Sequence, residues 1–176
     1  GEMVSQLKRR GKIHQPLVAV VTDYGAHRSY VTDQVNAYVV PSMECADMLS
    51  DMGVPRQKIY PFGIPVYETF FHSRSRGELQ KAFGLQPGRK TVLLMAGSFG
   101  VTQIQSIYQS LMDIREDFQM VVITGKNKKM YETFHKMIER SGAQSRVKLV
   151  FFTTEVEKYM QASDLLISKP GGLTIS

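Results

Sequence analysis

Cysteine is nearly absent from this sequence: one residue, Cys45, in 176. A lone thiol excludes a disulfide framework and argues against a thiolate metal cluster. It lies in a segment of helical pattern and reads as a small core hydrophobe, compatible with a reducing cytoplasm. Long apolar runs are lacking too. The longest, 17–21 and 147–152, are strand-sized, well short of the roughly 20 residues that span a bilayer. The opening residues, 1–10, lack the apolar stretch of a secretory signal and read instead as a polar amphipathic helix. Zinc-finger spacing, basic-aromatic repeats, internal repeats and low-complexity segments are also missing, so no motif supports a nucleic-acid partner. Acidic residues are the scarcer charge, 16 against 22 Lys and Arg, for a formal net charge of +6. Such a surplus suits anionic lipid surfaces or phosphorylated ligands. It gathers in two clusters, Lys8, Arg9, Arg10 and Lys12, and Lys126, Lys128 and Lys129. Such clusters are more often solvated faces than binding patches.

What is present is an alternation of strand and helix signals, the pattern of a parallel sheet with crossover helices. LVAVVT at 17–22 is a continuous apolar run, expected of a strand covered on both faces. A second short strand follows at 37–40. Ser42 is a candidate N-cap, and Ala46, Leu49 and Met52 recur at helical spacing before Gly53. IYPFGIPVYE at 59–68 holds two prolines and a glycine within five residues, which rules out a long regular element and marks a linker. A helix is expected over 74–83, stopped by Gly84. Strands at 91–95, 119–124, 147–152 and 164–168 then alternate with helices carrying Ile104, Tyr108 and Leu111, then Met130, Phe134 and Ile138, then Val156, Tyr159 and Met160.

Ligands of open α/β sheets bind beyond the carboxyl ends of the strands. Three small-residue loops fall there: 96–100, 125–127 and 169–172. Glycine lets the backbone approach a ligand, and a following helix offers unpaired amides to a diphosphate. AGSFG and KPGGLT are therefore candidate phosphate cradles, with Ser98 and Thr174 as possible hydroxyl donors. Neither matches a complete dinucleotide or nucleoside-triphosphate fingerprint, and each alone is equally well an ordinary turn.

Taken together, VVTDYGAHRSYV at 20–31, GIPV at 63–66, MAGSFG at 95–100, VVITGKN at 121–127 and SKPGGLTIS at 168–176 resemble glycosyltransferase family 28. Within it they are most similar to processive diacylglycerol glucosyltransferases and monogalactosyldiacylglycerol synthases. The resemblance implies an α/β chain of GT-B type, with two Rossmann-like domains, of which this chain is a fragment. Residues 1–60 would end the acceptor-side domain, 61–68 would cross between domains, and 69–176 would form most of the UDP-sugar-binding domain. It further implies inverting transfer of a hexose from a UDP-sugar to diacylglycerol or another lipid acceptor, with no cofactor and no metal. The enzyme would be cytoplasmic, peripheral on the inner face of the cell membrane and drawn to its anionic surface, in part by the basic N-terminal cluster.

Carried onto this sequence, Gly97 and Ser98 would contact the donor phosphates, with Gly171, Gly172 and Thr174 flanking the diphosphate. Phe152 and Thr153 would hold the uracil through backbone groups. Gly125 and Lys126 would line the same cleft, where Lys126 either faces the diphosphate or stands as a solvated lysine at a helix start. Asp23 and His27 match the family's TDxxxH segment on the acceptor side; a histidine in such a loop is more often structural. The family's histidine-bearing glycine loop has no counterpart here, the glutamate that follows KPGGLTIS is not reached, and Ala96 replaces the first glycine of the phosphate loop. The catalytic base and the ribose anchor are thus expected outside this chain. Two other activities fit the same pattern: a UDP-GlcNAc transferase acting on lipid-linked muramyl peptide, and a nonenzymatic nucleotide-binding domain. A UDP-sugar epimerase would need cleft acids that cannot be assigned.

Overall fold

A computed structural model describes residues 1–96, 100–174 and 176. The chain divides into two compact units: Gly1–Tyr67 with Pro170–Ser176, and Glu68–Lys169.

In the first unit, strands β1 (Val18–Val20), β2 (Ala37–Val39) and β3 (Ile59–Tyr60) form a parallel sheet in that order. Helix α1 (Glu2–Arg9) precedes it, and α2 (Met43–Asp51) follows β2. Ser42 caps α2, its hydroxyl accepting from the Cys45 amide at 3.3 Å. The helix buries Cys45, Ala46 and Leu49 against Val21, Tyr38, Val40 and Ile59. Burial, and next the charge of Asp23, push the Cys45 thiol pKa up, as suits a packed core residue. The expectation for 17–22 needs correction. β1 is an edge strand whose period-two alternation turns Ala19 and Val21 to the core and leaves Val18 and Val20 52% and 47% exposed. The linker 59–68 also holds a strand that its prolines concealed. β3 pairs with β2 only through Ile59 and Tyr60, extended by the Val40 amide donating to the Tyr60 carbonyl at 2.9 Å.

The second unit is a four-stranded parallel sheet in the order β6-β5-β4-β7. Its strands are β4 (Lys90–Met95), β5 (Phe118–Ile123), β6 (Val147–Val150) and β7 (Leu165–Ile167). Helix α3 (Arg76–Ala82) precedes β4, and the crossovers are α4 (Val101–Met112), α5 (Lys128–Ser141) and α6 (Val156–Gln161). Alternation along β4 and β5 sends Val92, Leu94, Met120 and Val122 to one face, under Ile104 and Tyr108 of α4 and Met130, Phe134 and Ile138 of α5. Leu93, Val121 and Ile123 go to the other face, where Tyr159 of α6 and Leu85 meet them. Coverage on both faces explains why these strands read as unbroken apolar runs.

At the amino-terminal edge of this sheet, Asp164 binds three groups. Its carboxylate accepts from the Thr91 amide at 2.9 Å, from Arg76 at 2.7 Å and from Lys90 at 3.1 Å. Burial alone would raise its pKa, but the Thr91 amide and then the two cations hold it below the ordinary carboxylate range. A lowered folded-state pKa stabilises the protein above the unfolded carboxylate's pKa, and that stabilisation is lost as pH falls through the folded value. Asp164→Asn is therefore expected to cost about 1–2 kcal/mol at neutral pH, the net worth of hydrogen bonds to a charged group. The difference should vanish once the wild-type carboxylate is protonated, which urea unfolding at neutral and at strongly acid pH would measure.

Candidate functional site

All four strands of the second sheet run parallel, so every βα loop leaves at one edge. The order places β4 beside β7, with Leu94 opposite Ile167, while the chain between them passes through β5 and β6 on the other side. This is a topological switch point, the kind of position at which ligands of open α/β sheets bind. The loop after β4 carries Gly97 and Ser98; the chain after β7 leads into Gly171 and Gly172, which belong to the first unit. Gly97 and Ser98 lie outside the described residues. Beyond them α4 opens at Gly100, a cap residue with no side chain to bond the first amides, and twelve residues of helix follow. Those amides carry the positive end of a macrodipole.

The next two loops bring Gly125 and Lys126 together with Phe152. Thr124 closes β5: it is fully buried, its amide donates to the Val150 carbonyl at 3.0 Å, and its hydroxyl donates to the Phe151 carbonyl at 3.3 Å. Gly125 then turns the chain at φ +64°, a left-handed conformation that favours glycine. Asn127 caps α5, its side chain accepting from the Met130 amide at 3.0 Å. Between turn and cap, Lys126 projects its Nζ over the Phe152 ring, 4.9 Å from the centroid, and the ring is still 49% exposed. Tyr131 of α5 meets Phe151 edge to face at 5.6 Å. The Thr153 hydroxyl accepts from the Glu155 amide at 2.9 Å, so its side chain serves the turn into α6. Thr124 and Tyr131 were not singled out in the sequence. Thr124 is legible there only as the polar residue ending an apolar strand run.

In the first unit the TDxxxH residues do not form a pair. The Asp23 carboxylate accepts from the Tyr30 hydroxyl, which, with burial, raises the Tyr30 pKa. His27 caps a short 3-10 turn (Arg28–Tyr30): its Nδ1 accepts from the Ser29 amide at 3.2 Å and lies 2.9 Å from the Ser29 hydroxyl. Among the described residues no hydrogen bond joins His27 to Asp23. Where KPGGLT predicts the start of an α-helix, Gly172–Thr174 form a 3-10 turn, with the Thr174 amide donating to the Gly171 carbonyl at 2.8 Å. Gly172 has a packing reason of its own. A Cβ added there would lie 1.7 Å from the Thr22 carbonyl oxygen and 3.3 Å from Ile64 Cδ1. Among the described residues, a Cβ on Gly171 would meet only the Thr174 hydroxyl, at 3.8 Å.

Two family models match separate stretches of the chain. Residues 1–66 match the family model of monogalactosyldiacylglycerol (MGDG) synthase, and residues 91–176 match that of the glycosyltransferase family 28 C-terminal domain. A processive diacylglycerol beta-glucosyltransferase of Staphylococcus epidermidis is 29% identical over 175 residues, covering 99% of this chain and 44% of the relative. The Bacillus subtilis enzyme of the same name is 27% identical over 176 residues, covering 99% of this chain and 45% of its own. The chain thus spans less than half the length of these curated relatives. The crystal structure of Anabaena HepE in complex with UDP and glucose superposes with a TM-score of 0.58 at 14% identity, over 93% of this chain and 47% of that one. This likeness concerns the fold, mixed α/β with parallel sheets. By its family matches and its relatives, the chain is similar to glycosyltransferase family 28 and to the diacylglycerol glycosyltransferases, as its motifs predict.

Proposed function

We propose that the chain is part of an inverting glycosyltransferase that moves a hexose from a UDP-sugar to diacylglycerol. In this reading residues 1–60 belong to the acceptor-side domain, 61–68 cross between domains, and 69–176 bind the donor. The observation that carries it is the β4–β7 adjacency, which sends both glycine-bearing loops off one sheet edge. The relatives' names and the UDP-bound fold relative support the same choice of donor and acceptor.

The chemical problem is to stabilise a departing UDP dianion. Preorganised amides at the start of α4 meet that charge at no reorganisation cost. Gly97, Ser98, Gly171, Gly172 and Thr174 are the proposed phosphate contacts; Phe152 and Thr153 are the proposed uracil contacts. Lys126, resting on Phe152, is within a side-chain rotation of an anion bound near that ring. His27 is proposed on the acceptor side, at an anionic membrane surface on the inner face of the cell membrane. Among the described residues no helix is long and apolar enough to cross a membrane.

Titration calorimetry with UDP, UDP-glucose, UDP-galactose and UDP-GlcNAc tests the donor assignment: UDP and at least one UDP-hexose should bind, and failure of every uridine nucleotide would overturn it. Lys126→Met should weaken UDP about tenfold, the size of one charge-assisted hydrogen bond, while leaving uridine unaffected. Equal loss for both ligands would show that Lys126 acts on the ring and not on the phosphates.

A further inference from the structure

We propose that the exposed face of α5 is the surface that docks on an anionic bilayer, through a stripe formed by Lys129, Lys136 and Arg140. This rests on the lipid-acceptor reading above and says which part of the chain meets the lipid surface. The charge surplus is not spread evenly. Residues 126–148 carry seven cations (Lys126, Lys128, Lys129, Lys136, Arg140, Arg146 and Lys148) against two acids, Glu132 and Glu139. α5 sorts these by helical geometry. Met130, Phe134 and Ile138, at spacings of four, are buried against the sheet. Lys129, Lys136 and Arg140, at i, i+7 and i+11, share one stripe on an exposed flank, spanning about 16 Å. The residue between them, Thr133, donates its hydroxyl to the Lys129 carbonyl at 2.8 Å. Both acids fall on the neighbouring stripe, where Glu132 stands 4.0 Å from Lys128 and Glu139 stands 3.3 Å from His135. Among the described residues none of Lys129, Lys136 and Arg140 is in an ion pair, so the stripe keeps its full charge.

The N-terminal cluster, which the sequence offered for the same task, is differently placed. Arg9 pairs with Asp33 at 2.6 Å and Glu2 at 3.3 Å, and Lys8 donates to the Gln15 carbonyl at 2.5 Å. Of its four cations, Arg9 is the one in ion pairs among the described residues; Lys8, bound to a neutral carbonyl, keeps its charge. The Arg9 guanidinium in turn holds the Asp33 carboxyl at a pKa of about 2, so that acid stays ionised at the cluster's edge and repels an anionic surface.

The test is sedimentation of the chain with phosphatidylglycerol-rich vesicles and with phosphatidylcholine vesicles. The wild type should bind the former, release at high salt, and ignore the latter. Replacing Lys129, Lys136 and Arg140 together by glutamine should lower partitioning roughly a hundredfold. Because all three are exposed, the variant should keep the wild-type melting temperature; Lys136→Gln alone, expected to lose about fivefold, serves if the triple variant melts early. Substituting Lys8, Arg10 and Lys12 should change partitioning less than the α5 set does. Wild-type partitioning by the triple variant would overturn the assignment to α5 while leaving the membrane reading intact. Failure of the wild type to bind phosphatidylglycerol vesicles would sink both. Loss of single-stranded RNA binding in the triple variant, with no vesicle binding by the wild type, would mean that the stripe serves another partner.

Discussion

Replacing Gly172 by alanine is expected to destabilise the chain by about 1–3 kcal/mol, the usual cost of forcing a methyl group into a packed site. The added carbon has no room: it would sit 1.7 Å from the Thr22 carbonyl oxygen and 2.9 Å from the carbonyl carbon, both backbone atoms that cannot rotate away. Either the turn at residues 172–174 or the segment after β1 that holds Thr22 must move. A loss of UDP affinity in a Gly172 variant therefore has two causes, a displaced turn and a filled phosphate site. Gly171 separates them. Among the described residues its added carbon meets only a hydroxyl at ordinary contact distance, and its backbone is not left-handed, so Gly171→Ala should leave the melting temperature within about 2 °C of wild type. If Gly171 is a diphosphate contact, bulkier Gly171→Val should still weaken UDP while the fold holds. Retained UDP affinity in Gly171→Val would remove that segment from the phosphate cradle.

The larger effect is expected from Leu94→Ala, about 2–5 kcal/mol in chemical denaturation, the range for emptying a fully buried leucine site. Leu94 stands in register with Val122 on one side and Ile167 on the other, in the layer beneath α4 and α5. It therefore joins both strands from which the glycine-bearing loops spring. The variant should lose nucleotide affinity beyond what its unfolded fraction explains, because the relative heights of β4 and β7 set where those loops begin. Leu85→Ala, which empties the opposite face beside Leu93 and Tyr159, should cost stability without that extra loss. Equal affinity loss in both variants, after correction for unfolding, would show that the switch point has no special hold on the site.

How far the sequence alone reaches depends on where each element's stability comes from. β4 and β5 are legible because helices cover both faces, so the chemistry of burial is written residue by residue into TVLLM and QMVVI. Ser42 and Gly84 are legible because caps and left-handed stops depend on local backbone needs; Gly84 indeed has φ +66°. β3 is not legible, since a strand of two residues owes its existence to β2 and the segment around it is rich in proline. The exposure of Val18 and Val20 is hidden for a related reason: an apolar run cannot announce that one face of its strand is left uncovered. At the site, Gly125 and its following cap follow from local rules. The Lys126–Phe152 contact joins two separate loops and needs the β5–β6 pairing to appear. Gly172 illustrates the limit best. As a phosphate glycine it is readable from its motif, but its approach to Thr22 links residues 150 positions apart and exists only in three dimensions.

The most direct test of the central claim is an amide-resolved NMR titration of the chain with UDP. The proposed donor site should appear as shifts in the amides of Ala96, Gly125, Lys126, Phe152, Thr153 and Gly171, with those of Gln86, Gly88, Arg89 and Lys90, at the opposite edge of the sheet, unmoved. Shifts gathered at that opposite edge, or no shifts at saturating UDP, would contradict the claim that the carboxyl ends of these strands hold a uridine diphosphate.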